Sequence, residues 1–542
     1  MMTHTPRRIP SAASILGLIV LGALSVTGCD FGEFDESMNA LDPNDPTYLF
    51  ANTDAPQVDP RDFNPFIDTY VDRLATFSVD VDTASYTIMR RALNEGKLPN
   101  IDRMRVEEFL NYFAFDYPAP TPQDPDPFSI TLEAAPSVFG PNKHMLRVGV
   151  KAMAVPEQQR PHTNVVLLID ISGSMSSYDR IGYVKYAAKT LVNSLRESDT
   201  IGIVVYAGAE RTVLEPTAVG QRTAILNAID SLTTGGSTAG EAGLRRAYEL
   251  AERARCSNNV ALYQNCTNDI NRVVLFTDGD FNVGLAGDAL IEEVEAWRNR
   301  GVFLSVFGVG SDFNDAFLET LTNKGNGNYY YVDSLGEARR VLADALGGTM
   351  QVVAKDVKVQ VEFNPEVISR FRLVGYENRV LNHEDFVNDK VDAGDIGSGH
   401  NVTALIEFEL RSEVKRGSGL QVMVEPEYAQ AQFIDVRVRY KRPSETMSRE
   451  VVKIVPLESL KTSPTAATDD FRFALAVAEF AEILRASPFV EAVDYDAVHA
   501  LAESGLAADP ENRGEFLQLI RKAQSLTPFC AGPEDRVTMV CQ

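Results

Sequence analysis

Two uninterrupted apolar runs organise the middle of the chain: Asn164-Val-Val-Leu-Leu-Ile169 and Arg272-Val-Val-Leu-Phe-Thr277. Continuous apolarity, without a wet face, predicts central parallel strands covered on both sides. Strand and helix patterns alternate from Asn164 to about Gly348. On the N-terminal side, Phe77–Asp82 reads as a strand, and helical spacing runs over Thr83–Asn94 and Arg103–Phe113. Prolines at 118, 120, 122, 125 and 127 end that unit, and Ser129–Ala134 and His144–Ala152 read as strands. Beyond Ala354 the period becomes two, over Val357–Phe363, Val402–Leu410, Leu420–Val424, Ile434–Tyr440 and Glu450–Ile454. That alternation predicts antiparallel sheets. Phe473, Val477, Phe480, Ala481 and Leu484 return to helical spacing, and no internal repeat is present. The expected fold is a mostly parallel α/β sheet with helices on both faces, inserted in or attached to a β-sandwich. A small N-terminal α/β segment and C-terminal helices complete it.

The 542 residues divide as 1–28, 29–65, 66–128, 129–160, 161–349, 350–460 and 461–542. Residues 1–28 read as a secretory signal: Arg7 and Arg8 precede an apolar stretch over Ala12–Val26, too short for a membrane span. The ending Val26-Thr-Gly-Cys29 resembles the bacterial lipobox, which implies acylation of Cys29 and a chain held to a membrane by lipid only. Asp30 resembles an inner-membrane retention signal, a rule that differs between lineages and leaves the choice of membrane open.

Charge changes the picture less than its total suggests. The formal net charge is −25, which excludes a general nucleic-acid binder. From Asp30 to Asp72, however, eleven acidic residues face Arg61 alone, a net of −10. Residues 29–65 therefore read as a solvated acidic tether. In an exported, oxidising setting the remaining cysteines predict two local disulfides, Cys256–Cys266 and Cys530–Cys541. Neither couple has zinc-site spacing.

Both apolar runs deliver chemistry at their C-terminal ends, where ligands sit in open α/β sheets. The first ends in Asp170-Ile-Ser172-Gly-Ser174-Met175, the second in Asp278-Gly-Asp280. Between them, Gly235-Gly-Ser-Thr238-Ala-Gly240 places a hydroxyl in a glycine-rich loop. All the donors are oxygen, which suits a hard cation. A lone Asp-x-Ser-x-Ser turn more often caps a helix, but three strand-end features together argue for a site. Asp280 is extra to the pattern and reads as loop solvation.

This pattern resembles the von Willebrand factor A domain and its metal-ion-dependent adhesion site. The resemblance implies a Rossmann-like fold over residues 161–349, with Ser172, Ser174 and Thr238 as direct ligands. Asp170 and Asp278 would act largely through water. The ion would be Mg2+, with Mn2+ or Ca2+ as alternatives, and a protein partner's Asp or Glu would complete its shell. Five flanking stretches resemble a family of bacterial envelope lipoproteins built around an A domain, with a C-terminal domain of unassigned function. They are Thr76–Tyr86, Arg105–Phe113, Gly375–Arg379, Asn388–Asp395 and Gly399–Leu405.

The expected function is thus a lipid-anchored, metal-dependent binding module in the cell envelope, and not an enzyme. No His lies between His162 and His383 to activate a nucleophile. An alternative is an envelope scaffold that binds through its β-sandwich or C-terminal helices. A remote alternative is a phosphatase using Asp80 and Asp82, whose spacing resembles the paired aspartates of haloacid-dehalogenase-type enzymes. The plainer expectation is that Asp82 or Thr83 caps the following helix.

Overall fold

The computed structural model describes residues 63–527, apart from 122, 141, 237–239, 258–268, 280–286, 311–314, 349–350, 417–422 and 426–430. Cys29, the cysteine pairings 256–266 and 530–541, Thr238 and Asp280 lie outside the described residues.

The N-terminal segment supplies β1 (Ile67–Asp68), β2 (Leu74–Ser78), α1 (Ala84–Asn94) and α2 (Val106–Tyr112). The hairpin β3 (Phe128–Pro136) and β4 (Lys143–Ala152) follows, and then β5 (Thr163–Asp170) opens the α/β unit. That unit continues through α3 (Tyr183–Ser194), β6 (Thr200–Tyr206), β7 (Glu210–Ala218), α4 (Arg222–Asp230) and α5 (Gly240–Ser257). It is completed by β8 (Ile270–Thr277), α6 (Gly287–Asn299), β9 (Phe303–Gly308), α7 (Asp315–Lys324), β10 (Tyr329–Tyr331) and α8 (Leu335–Gly348).

Its six strands lie in the order β10-β9-β8-β5-β6-β7. All neighbours run parallel except β7, the antiparallel edge. Every residue of β5 is buried, as its unbroken apolar run predicts. Successive side chains of a strand point to opposite faces. Val166 and Leu168 accordingly share a core with Leu244 and Tyr248 of α5 and Val294 of α6. Val165, Leu167 and Ile169 share the other with Leu191 of α3, Ile225 of α4 and Val341 of α8.

The chain then builds β11 (Val352–Phe363), β12 (Ile368–Val374), β13 (Gly394–Gly397) and β14 (Asn401–Leu410). A short ribbon follows, β15 (Lys415–Arg416) against β16 (Met423–Val424), before β17 (Gln432–Lys441) and β18 (Arg449–Pro456). These strands form two larger sheets. One runs β1-β12-β14-β4-β3; the other runs β13-β11-β17-β18, with β2 also paired to β11. Strands from before and after the α/β unit therefore lie in one sheet, β4 and β14 pairing antiparallel from Asn401↔Lys151 to Glu409↔Lys143. Both sheets contribute to one apolar core, with Leu146, Val148 and Phe408 from the first and Val359, Val361 and Val436 from the second.

The chain ends in α9 (Asp469–Leu484), α10 (Tyr495–Glu503) and α11 (Pro510–Leu526). Phe473 of α9 and Phe516 of α11 pack against Phe113 just beyond α2. The N-terminal segment is not a free-standing unit. It lends β2 to a sheet, lays α1 beside β10 and joins α2 to the C-terminal helices. Among the described residues, no helix is long and apolar enough to cross a membrane.

Candidate functional site

The C-terminal ends of β5 and β8 bring together four of the five residues singled out in the sequence. Asp170 closes β5 and is fully buried; its Oδ1 accepts the Ser172 backbone N–H at 2.8 Å. That bond folds the turn so that Ser172 and Ser174 face each other, their hydroxyl oxygens 2.9 Å apart. Ser172 is buried and Ser174 exposed, so the pair spans from interior to solvent. Asp278, next after β8, is 2% exposed, and its Oδ1 has no hydrogen-bond partner among the described residues. Thr277 joins the two strand ends, donating through Oγ1 to Asp170 Oδ2 at 3.5 Å and accepting from the Gly279 N–H at 3.1 Å.

Thr238 lies outside the described residues, but the loop that carries it is anchored here. The Gly235 N–H donates to the Ile171 carbonyl at 2.7 Å, and the Gly173 N–H donates to the Gly236 carbonyl at 3.1 Å. Gly235 and Gly236 both take positive φ, +154° and +99°, which only glycine adopts without strain. That is the physical reason for a Gly-Gly pair ahead of the hydroxyl.

Electrostatics fits an oxygen-seeking cation. Burial pushes the Asp170 carboxyl up to about 6; the charge of Asp278 adds to this, and hydrogen bonds from Ser172 oppose it. A buried carboxylate oxygen without a partner, beside a second carboxylate, is negative charge awaiting compensation. Among the described residues, no group of three or more His, Cys, Asp or Glu could hold a metal ion. Any ion here would rest on two carboxylates and a set of hydroxyls, which is hard-cation chemistry.

One group at the site was not expected from the sequence. Arg180, in a wide turn over Tyr178–Gly182, donates from Nη1 to Asp278 Oδ2 at 2.8 Å and to the Ser174 carbonyl at 3.0 Å. An arginine at the start of a helix pattern reads as a solvated charge, and no local spacing links it to Asp278.

Asp80 and Asp82 lie elsewhere, on a cavity of about 480 Å3 that Arg105, Glu319 and Arg379 also line. Arg379 donates to Asp80 Oδ1 at 2.8 Å and approaches Asp82 at 3.7 Å. The capping expectation for this stretch holds for the position of Thr83 and not for a capping side chain. Thr83 stands at the N-cap of α1 without a side-chain capping bond, and Asp82 Oδ1 accepts the Tyr329 N–H at 2.9 Å. The carboxylate is spent on docking β10 against the N-terminal segment.

Comparison with known proteins places these features in a family. The model for the von Willebrand factor type A domain matches residues 164–344, and a second one described as von Willebrand factor matches 54–147. The model for the uncharacterized protein YfbK, C-terminal, matches 348–526. The uncharacterized protein YfbK of Escherichia coli (strain K12) is 39% identical over 479 residues, covering 86% of this chain and 80% of the relative. The uncharacterized protein sll0103 of Synechocystis is 24% identical over 225 residues, 42% of this chain and 50% of its own. Among solved structures, a von Willebrand factor type A protein from Catenulispora acidiphila is similar at 15% identity and a TM-score of 0.41, over 76% of this chain and 92% of that one. With its A domain between a YfbK-like N-terminal segment and a YfbK C-terminal domain, the chain belongs to the YfbK family of von Willebrand factor type A domain proteins.

Proposed function

We propose that the chain is a lipid-anchored protein of the bacterial cell envelope that captures a protein partner through a divalent cation. The ion, a hard divalent cation with Mg2+ first and Mn2+ or Ca2+ as alternatives, would sit on Asp170, Ser172, Ser174, Thr238 and Asp278, and an Asp or Glu of the partner would complete its shell. The observation that carries this reading is the unpartnered, buried Oδ1 of Asp278 beside buried Asp170 at adjacent strand ends. Tyr178, 72% exposed in the turn beside the site, gives a partner an aromatic surface of the kind enriched at interfaces. The anchor at Cys29 rests on the lipobox resemblance alone. A binding module is favoured over an enzyme because no His lies between His162 and His383 to activate a site hydroxyl as a nucleophile.

Calorimetric titration of Mg2+ into the full chain tests the site, and capture from envelope extract tests the role. Asp278→Ala should abolish the Mg2+ heat with folding intact. Capture should need the ion and be lost in Asp170→Ala; capture indifferent to chelator and to this change would refute the proposal. That second outcome would favour the scaffold reading, which has one observation of its own. The edge strand β18 exposes Val452 (47%) and Ile454 (48%).

A further inference from the structure

The guanidinium of Arg180 stands where a cation would draw on Asp278. It is held from several directions. Nη1 bonds both the buried Asp278 carboxylate and the Ser174 carbonyl of the Asp170 turn. The stem lies over Gly310, so close that a Cβ there would meet Nε at 2.7 Å. The Gly310 carbonyl accepts from the Tyr331 hydroxyl, which in turn accepts from Arg91 of α1 at 2.7 Å. Arg91 also pairs with Asp179, the neighbour of Arg180, at 3.3 Å. The N-terminal helix thus braces the wall against which the guanidinium rests.

An arginine does not deprotonate in proteins, so it yields a carboxylate only by moving. Guanidinium and metal ion are like charges drawn to the same carboxylate, Asp278, whose Oδ2 the guanidinium already holds. Brought together on one buried carboxylate they repel, so the ion's approach weakens the hold of the arginine.

We propose that Arg180 is an intramolecular competitor for the cation: it occupies Asp278 in the metal-free chain, leaves when the ion binds, and so sets the affinity of the site. This rests on the metal-binding reading above. In effect the site carries its own counter-charge, which keeps one oxygen of the buried carboxylate paired until a cation takes over. Because Arg180 is about 20% exposed, its head has solvent to move into.

The test is titration of the full chain with Mn2+ as the probe ion, with free Mn2+ counted by electron paramagnetic resonance. Arg180→Gln, and Arg180→Ala as a second variant, are compared with the unaltered chain after circular dichroism has shown each folded. The expected result is at least tenfold tighter Mn2+ binding in both variants, a difference of about 1.4 kcal/mol. Binding in the variants where the unaltered chain shows none is the stronger form of the same result. Equal or weaker binding in the variants overturns the competitor and leaves the metal reading standing. No binding in any of the three chains overturns both. A measurement on the unaltered chain needs no substitution: phenylglyoxal modification of Arg180, mapped by mass spectrometry, should rise severalfold on adding Mn2+. An unchanged rate counts against displacement.

Discussion

At the scale of single residues, the buried charges are placed where separate parts of the chain meet. Arg90 of α1 is 6% exposed and donates to Asp333 through Nε and Nη2, both at 2.6 Å, and to Glu337 at 2.9 Å. Its Nη1 also reaches the Tyr112 hydroxyl of α2 and Glu515 of α11. One side chain therefore ties the A domain, the N-terminal segment and the C-terminal helices. Removing one partner of a buried pair leaves the other charge without compensation, which costs several kcal/mol. Arg90→Ala is expected to destabilise the chain by about 3 kcal/mol, read as a lower urea midpoint, with the loss moderated because Arg340 still holds Glu337. A variant as stable as the parent would show the network to be ornamental. Such ties explain the uneven legibility of residues in the sequence. Asp170, Ser172, Ser174 and Asp278 were readable because each sits within a few positions of an unmistakable strand end. The bonds from Arg180 to Asp278 and from Tyr329 to Asp82 span 98 and 247 positions, and no local pattern carries them.

At the scale of elements, the clearest strands are those with one chemical character. β5 and β8 are apolar along Val165–Ile169 and Val273–Phe276; β14 and β17 alternate. β12 escaped notice because Arg370 and Arg372 interrupt its apolar residues. Those arginines are satisfied across the ladder and from above: Arg370 bonds Glu409, and Arg372 bonds both Glu407 of β14 and Glu482 of α9. A short strand whose apolar run is broken by charge reads as a loop until its partners are known. The same cluster holds Glu479 of α9, whose carboxyl burial pushes up to about 8. Glu482 and Glu407 add to the shift, while Lys143 and Arg372 oppose it. Because this folded value lies above that of the unfolded chain, native Glu479 keeps a proton that the unfolded chain releases. Stability is then greatest below about pH 4.5 for this group and falls as pH rises towards 8, at up to about 1.4 kcal/mol per pH unit. Glu479→Gln should flatten that fall, measured as the difference between the two chains in urea melts at pH 5 and pH 8. The difference is the quantity to read, since Glu107 and Asp395, both raised to about 7, tilt the parent curve the same way. Parallel curves for the two chains would place the Glu479 carboxyl in water instead.

At the scale of the whole molecule, the A domain is not a bead on a string. The chain enters it from β4 and leaves it into β11, so strands on either side of it are committed to packed sheets. On its flank, α1 covers β10, where Thr87 donates to the Tyr331 carbonyl at 2.9 Å. One continuous core runs from Val166 and Tyr331 of the A domain through Tyr86 and Phe113 to Phe473 and Phe516 of the terminal helices. The described residues accordingly belong to one compact unit. The domain divisions read from the sequence mark changes of period, which is a property of local pattern. Cooperativity is set by the buried contacts that cross them. A shared core has a thermodynamic consequence, because surface buried between parts is lost only when both let go. Calorimetry of the full chain is expected to show one principal transition. Residues 161–349 expressed alone should melt at a lower temperature, since they leave behind α1 and the apolar surface it covers. The shift should be largest for the β10 edge, where amide exchange in the isolated domain should outpace that in the full chain. Two resolved transitions in the full chain, one matching the isolated domain, would mean that the A domain folds without regard to its frame. It would also remove the physical link by which α1, through Arg91 and Tyr331, braces the wall behind Arg180.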